Sequence, residues 1–401
     1  MLALQGIKVL ELSSWIFGPA CGAILGEWGA DVTKIENPEG GDATRGILAT
    51  GLRSVQEYNY IFELCNRNKR GIAVNLDIEK GREILHKLVE KSDVFVTNLL
   101  PGIARKLASD YETVSGINPK IIYAQASGYG PEGPDKYKPG FDEVAFWARS
   151  GIMSLMGEPD SPPVPLRGAM GDLTGAAFLA GAIALALLAR ERFGLGQRVD
   201  VSLLASGLWV GGYDVQAALS TGQDSERRSR RTIGNPLYNT YQTKDSKWLF
   251  FAMLQTDRYW RDVCKALGRE DLENDARFDS HVKRCQNSAV LISILDEVLA
   301  TKTRAEWATV FNQHKMVWDP EPLLSEVLSD PQVLANKYIA ELNHPTYGKL
   351  KLVGTPFQFD KMPTQPRRHA PQLGEHTEEI LLEIGYDWDE ILRLKDSSAI
   401  P

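Results

Sequence analysis

Over the first two hundred residues, short apolar runs alternate with segments whose apolar positions recur at helical spacing, and no other feature restricts the fold as much. Residues 7–12, 32–36, 71–75, 94–97 and 121–126 read as strands. Residues 19–29 and 79–91 read as helices between them, with Pro19 in a first turn, where a helix tolerates proline. A helix also precedes the strand at 121–126. Strands separated by crossover helices build a parallel sheet covered on both faces, a doubly wound α/β fold. At 401 residues the chain is too long for one core. From about residue 224 the pattern changes. Residues 226–231 form a polar, mostly basic run that reads as an exposed linker or a solvated loop. Residues 240–254 read as strand, turn at Lys244-Asp245-Ser246, strand. Helical patterns follow at 256–267, 288–300 and 304–314. The expected organisation is a large α/β domain begun by residues 1–220, a smaller α+β domain over 225–325, and a return segment, 326–401, with strands near 347–353 and a last helix near 377–385.

A net charge of −7 argues against nucleic acid or an anionic membrane as the main partner, since either needs a basic surface. It leaves room for an anionic small ligand. The four cysteines, Cys21, Cys65, Cys264 and Cys285, form no close pair, so neither a zinc site nor a disulfide framework is expected. Free thiols suit a reducing cytoplasm, and the N-terminal run carries no basic leader. Residues 173–188 are apolar, but short and rich in Ala and Gly, which favours a buried helix over a membrane span. There is no GxxxxGK[ST] loop and no clustered metal ligand, so no metal or permanently bound cofactor is expected.

The stretch Arg167-Gly168-Ala169-Met170-Gly171-Asp172 leads into that helix. Asp172 has two readings. An acid at a helix start is commonly a cap for orphan N–H groups. The same position keeps a carboxylate ionised through the helix dipole, and Gly171 would admit a substrate to the backbone. A charged, approachable carboxylate is a nucleophile for a thioester.

The chain resembles the class III CoA-transferases. The resemblance rests on Gly18-Pro19-Ala20; Gly29-Ala30-Asp31-Val32-Thr33-Lys34-Ile35-Glu36; Asn66-Arg67-Asn68-Lys69-Arg70; Asn98 with Pro101-Gly102; Ser127-Gly128-Tyr129-Gly130; Gly140-Phe141-Asp142; Gly171-Asp172 with Gly175; the run Gly196 to Leu203; and Leu373-Gly374-Glu375-His376-Thr377. Each is weak alone; their order and spacing are specific. The resemblance implies that Asp172 is the catalytic aspartate, that acyl-CoA and a free carboxylic acid are the substrates, that coenzyme A is substrate and product, and that two chains interlock as a homodimer. It places Asn98 near CoA and Ile16 where formyl-CoA transferases carry glutamine, which argues against formyl or oxalyl groups. For the CoA phosphates the basic candidates are Arg45, Lys69, Arg70 and Lys106, with plain surface charge as the alternative for each. The glycine lid of formyl-CoA transferases has one glycine here, in Gly234-Asn235-Pro236, so a glycine gate is not expected. Residues 235–241 look like the branch acting on 2-hydroxy or aryl acids. His376 and His86 read as structural, and Trp15, Phe17, Phe146 and Trp147 as core or acyl-pocket aromatics.

Three other readings stay open. The related α-methylacyl-CoA racemases have histidine where this chain has Phe141, and phenylalanine moves no proton, which favours transferase. A dinucleotide-dependent oxidoreductase lacks its GxGxxG. A non-catalytic acyl-CoA-binding protein has no need of Asp172.

Overall fold

The computed structural model describes residues 1–50 and 58–401. Six strands form one sheet: β1 (Lys8–Leu12), β2 (Asp31–Glu36), β3 (Lys69–Ala73), β4 (Val94–Thr97), β5 (Ile122–Ser127) and β6 (Gln197–Ser202). Their order is β3-β2-β1-β4-β5-β6, and every pairing is parallel. The helices of this part are α1 (Phe17–Glu27), α2 (Tyr60–Asn66), α3 (Glu79–Glu90), α4 (Pro101–Lys106), α5 (Tyr111–Ile117), α6 (Ile152–Leu155), α7 (Met170–Phe193), α8 (Leu203–Val210) and α9 (Gly212–Thr221). Side chains alternate across each strand and so feed two cores. Val9, Val94, Val96, Ile122 and Ala124 face α1 and α7. Leu10, Phe95 and Tyr123 face α3 and two C-terminal helices. The strand β6 escaped the apolar-run reading because its face positions are interrupted by Gln197, Arg198 and Asp200.

Helix α7 has the length and composition to cross a membrane. It instead lays Gly175, Ala176, Leu179, Ala180 and Ile183 into the first core against α1. Small residues make that close packing possible: a Cβ on Gly175 would lie 2.9 Å from the Phe17 ring.

Contacts divide the described residues into two units. The first comprises Met1–Met153, Pro165–Gln223 and Asn336–Pro401; the second comprises Ser154–Val164 and Asp224–Ala335. The second holds the antiparallel strands β7 (Tyr238–Gln242), β8 (Trp248–Ala252) and β9 (Trp318–Glu321). Its longer helices α10 (Thr256–Leu267), α12 (Ser288–Leu299) and α13 (Arg304–Gln313) cover a core around Trp307, Phe251 and Phe311, with α11 (His281–Gln286), α14 (Leu324–Val327) and α15 (Pro331–Ala335) shorter. The basic run 226–231 is not a free loop. Arg227 donates to the Ser154 and Ser161 carbonyls, and Arg230 pairs with Asp296 at 2.6 Å. In the first unit, strands β10 (Ile339–His344) and β11 (Gly348–Val353) make a hairpin. Helix α16 (Thr377–Glu383) and α17 (Trp388–Asp396) then pack on the second core. His376 fastens this return to β3: its backbone N–H donates to the Gly71 carbonyl, and its Nδ1 accepts from the Gly71 N–H.

Candidate active site

Sheet order reverses between β1 and β4, and ligands of open parallel sheets bind outside the strand carboxyl ends at such a point. A cavity of about 440 Å³ lies there, lined among others by Trp15, Phe17, Asn98, Tyr129, Phe141 and Asp172. A smaller hollow of about 190 Å³ adjoins the ends of β1 to β4, with Ser14, Asn37, Leu76, Asp77 and Leu99 in its wall.

Asp172 sits in the first turn of α7, but it does not cap the helix. Ala169, in the left-handed region at φ 62°, occupies the cap position and offers no side-chain bond. The cap comes from Asp142, whose Oδ1 accepts from the Gly171 N–H at 3.0 Å. This settles why residue 171 is glycine. A Cβ there would lie 2.2 Å from Asp142 Oδ1 and 2.2 Å from the Phe146 ring, so packing alone already requires the hydrogen. With the cap role taken, the Asp172 carboxylate is left to the cavity.

Its expected ionisation is also corrected. Burial, then the charges of Asp142 and Glu143, push the Asp172 carboxyl up to about 7. Asp142 itself is pushed up to about 6 by burial and Glu143, partly offset by the N–H groups of Gly171 and Asp172. Two carboxyls with raised affinities for protons thus stand at one helix start. The dipole there favours the anion, but by a fraction of a kcal/mol to about 2 kcal/mol, less than desolvation and two like charges take away.

Of the other residues expected at the site, Asn98 and Phe141 line the cavity with Asp172. Asn98 Nδ2 donates to the Ser14 carbonyl at 2.6 Å and its Oδ1 accepts from the Ser14 N–H at 3.1 Å. Phe141 stands edge-on to Trp15 at 5.6 Å between centroids. Ile16 packs against the first core, while its neighbours Trp15 and Phe17 face the cavity. The basic candidates are engaged elsewhere. Lys69 is fully buried, paired with Glu11 at 2.7 Å and donating to the Pro19 carbonyl, out of reach of a phosphate. Arg70 is held by Asp31, Glu379 and Glu383 within 2.9 Å. Arg45 makes a bidentate pair with Glu36, donates to the Pro371 carbonyl and stacks on Phe62. Lys106 is exposed and paired with Asp77, which belongs to the smaller hollow. The basic residues that do line the main cavity are Arg105, Lys136, Lys138 and Arg198, the last paired with Asp200. Nothing in the local pattern distinguished them from surface charge. Among the described residues no group of three or more His, Cys, Asp or Glu side chains is arranged to hold a metal ion.

Known proteins resemble the chain along nearly its whole length. The family model for CoA-transferase family III matches residues 4–377. An (R)-2-hydroxy-4-methylpentanoate CoA-transferase of Clostridioides difficile is 34% identical, with all of both chains covered. The succinyl-CoA:glutarate CoA-transferase of Mus musculus is 35% identical over 100% of this chain and 91% of its own. The crystal structure of a CAIB/BAIF family protein from Brucella suis superposes with a TM-score of 0.84 at 30% identity, covering 96% of this chain and 99% of that one. A doubly wound sheet, a carboxylate in a cavity at its switch point, and a match along nearly the whole length lead to one assignment: the chain belongs to CoA-transferase family III.

Proposed function

We propose that this CoA-transferase moves CoA from an acyl-CoA to a free carboxylic acid by covalent catalysis on Asp172. The observation that carries the reading is a carboxylate in the cavity wall whose helix-capping role is filled by Asp142. The Asp172 anion attacks the thioester carbonyl, and the C–S bond breaks to release CoA thiolate, leaving an aspartyl–acyl anhydride. The thiolate attacks the aspartyl carbonyl of the anhydride. This gives an aspartyl-CoA thioester and frees the donor acid as its carboxylate. The acceptor carboxylate then repeats the two steps in reverse, so thioester energy is conserved and no other energy source is required. Burial helps: a carboxylate stripped of water is a stronger nucleophile, and the acylated side chain carries no charge to bury.

In this reading the acyl group lies beside Trp15, Phe17 and Phe141, and the pantetheine runs past Asn98. The nucleotide end takes the hollow along the ends of β1 to β4, and the phosphates run between it and the main cavity, whose wall carries Arg105, Lys136 and Lys138. The interlocked homodimer is part of the proposal. Support comes from apolar side chains left exposed on α7, α8 and α9, including Leu185, Trp209, Tyr213 and Leu219. Racemisation is disfavoured, because Phe141 carries no proton and Asp142 is bound to the helix start.

The test is exchange between a panel of acyl-CoA donors and acids, followed by mass spectrometry, with hydroxylamine added to convert an activated aspartyl carbonyl into a hydroxamate, the adduct sought. An adduct on the peptide holding Asp172, and no exchange by Asp172→Ala, is the expected result. Undiminished exchange in Asp172→Ala would refute the mechanism.

A further inference from the structure

The turn joining β1 to α1 holds a tryptophan in a conformation that suits glycine. Trp15 has φ 71°, a region that costs any residue with a Cβ and is a true outlier for a bulky one. Such a residue persists only where its surroundings determine it, and here they do. Asp42 Oδ1 accepts from the Trp15 N–H and the Ser14 hydroxyl, each at 3.2 Å. Asn98 grips Ser14 at both its N–H and its carbonyl. Lys34 Nζ donates to the Ser13 carbonyl at 2.9 Å. Asp42 is itself fixed by Lys34 at 2.8 Å and by the N–H and hydroxyl of Thr44 at 2.9 and 2.7 Å. Lys34 is fully buried, as is its second partner Glu11.

A buried ion pair adds little to stability over an apolar pair of the same size, so what it supplies is geometry. The geometry serves a ring that is not in the core. Trp15 is 41% exposed, stands perpendicular to Phe141, and shares a cavity wall with Asp172. We propose that Asp42, paired with Lys34, is a positioning residue that holds Trp15 against Phe141, and that these two rings select acyl groups with an apolar or aromatic body over short or polar ones. The inference rests on the reading of the cavity as the acyl site. The edges and faces of two crossed rings give an acyl chain dispersion contacts and an edge-to-face partner, and a short acyl group does not reach them.

The experiment measures affinity and turnover separately. Affinities for acetyl-CoA, succinyl-CoA and 3-phenylpropanoyl-CoA are taken by calorimetry in an Asp172→Asn background, which cannot turn over. Exchange is followed with Asp172 intact. The variants are Trp15→Phe, Trp15→Ala, Trp15→Gly and Asp42→Asn. The expected preference for 3-phenylpropanoyl-CoA over acetyl-CoA is about tenfold. It is kept by Trp15→Phe and falls towards one in Trp15→Ala, Trp15→Gly and Asp42→Asn, the ratio cancelling any loss of CoA affinity common to both esters. Trp15→Gly relieves the strained backbone, so loss of preference with an unchanged or raised melting temperature excludes unfolding. An unchanged preference in Trp15→Gly, or an equal loss in Trp15→Phe and Trp15→Gly, overturns the proposal even if exchange remains intact. Exchange surviving in Asp172→Ala would refute the aspartyl mechanism, and the affinity ratios would still decide the role of Trp15.

Discussion

Replacing Asp142 by asparagine should move the acid limb of the pH profile downward. The Asp172 carboxyl stands near 7 because burial, Asp142 and Glu143 all raise it, in that order. At pH 7 about half of it is the nucleophilic anion, and at pH 6 about a tenth. kcat/KM should therefore climb through neutrality and level off above pH 8. Asp142 ranks second among three causes of one sign, so its charge accounts for at most half of the rise from 3.8. Asp142→Asn should shift the limb down, but no lower than about 5.5, with a gain at pH 6 of at most about eightfold. Asparagine keeps an oxygen for the Gly171 N–H, so the helix cap survives. The assay is acyl-CoA exchange between pH 5 and 9 at constant ionic strength, with Glu143→Gln as a variant of smaller shift. A limb that stays at 7 or moves upward in Asp142→Asn would refute the electrostatic account of the site.

Stability gives an independent view of the same group. Because folding raises the Asp172 pKa, the folded state binds its proton more tightly, and stability falls as pH rises from about 4 through 7. Asp172→Asn should thus stabilise the protein by about 4 kcal/mol at pH 8.5 and by little at pH 4, read as melting temperatures. Gly171→Ala should cost about 1–3 kcal/mol in denaturant unfolding and lower kcat, since the new methyl meets Asp142 and Phe146. Arg70→Gln should weaken the fold, by breaking the contacts to Asp31, Glu379 and Glu383, yet leave the KM for acyl-CoA within about twofold. By contrast, Lys138→Gln and Arg105→Gln should each raise that KM severalfold and reduce its dependence on salt, as measured between 20 and 200 mM by initial rates.

Strand and helix alternation made the parallel sheet legible from residues 1–200, since burial on both faces leaves unbroken apolar runs such as those at 94–97. The position of Asp172 was legible as well, through glycines and a helix start beside it. Its chemistry was not. The residue that caps the helix lies 29 positions before Gly171, and only the fold shows that Asp142 frees Asp172 and raises its pKa. The engagement of two of the phosphate candidates was hidden for the same reason. Arg70 meets Glu379 and Glu383, 309 and 313 positions away, and Arg45 meets Pro371, 326 positions away. Their partners sit in the C-terminal return that closes on β3. Local patterning thus determined which segments become the strands and helices of a parallel sheet and where the candidate carboxylate stands. Which charges face the cavity, which are neutralised beneath it, and why a tryptophan holds a glycine's conformation were decided by tertiary contacts, because electrostatic partners are matched by distance in space and leave no period in the chain.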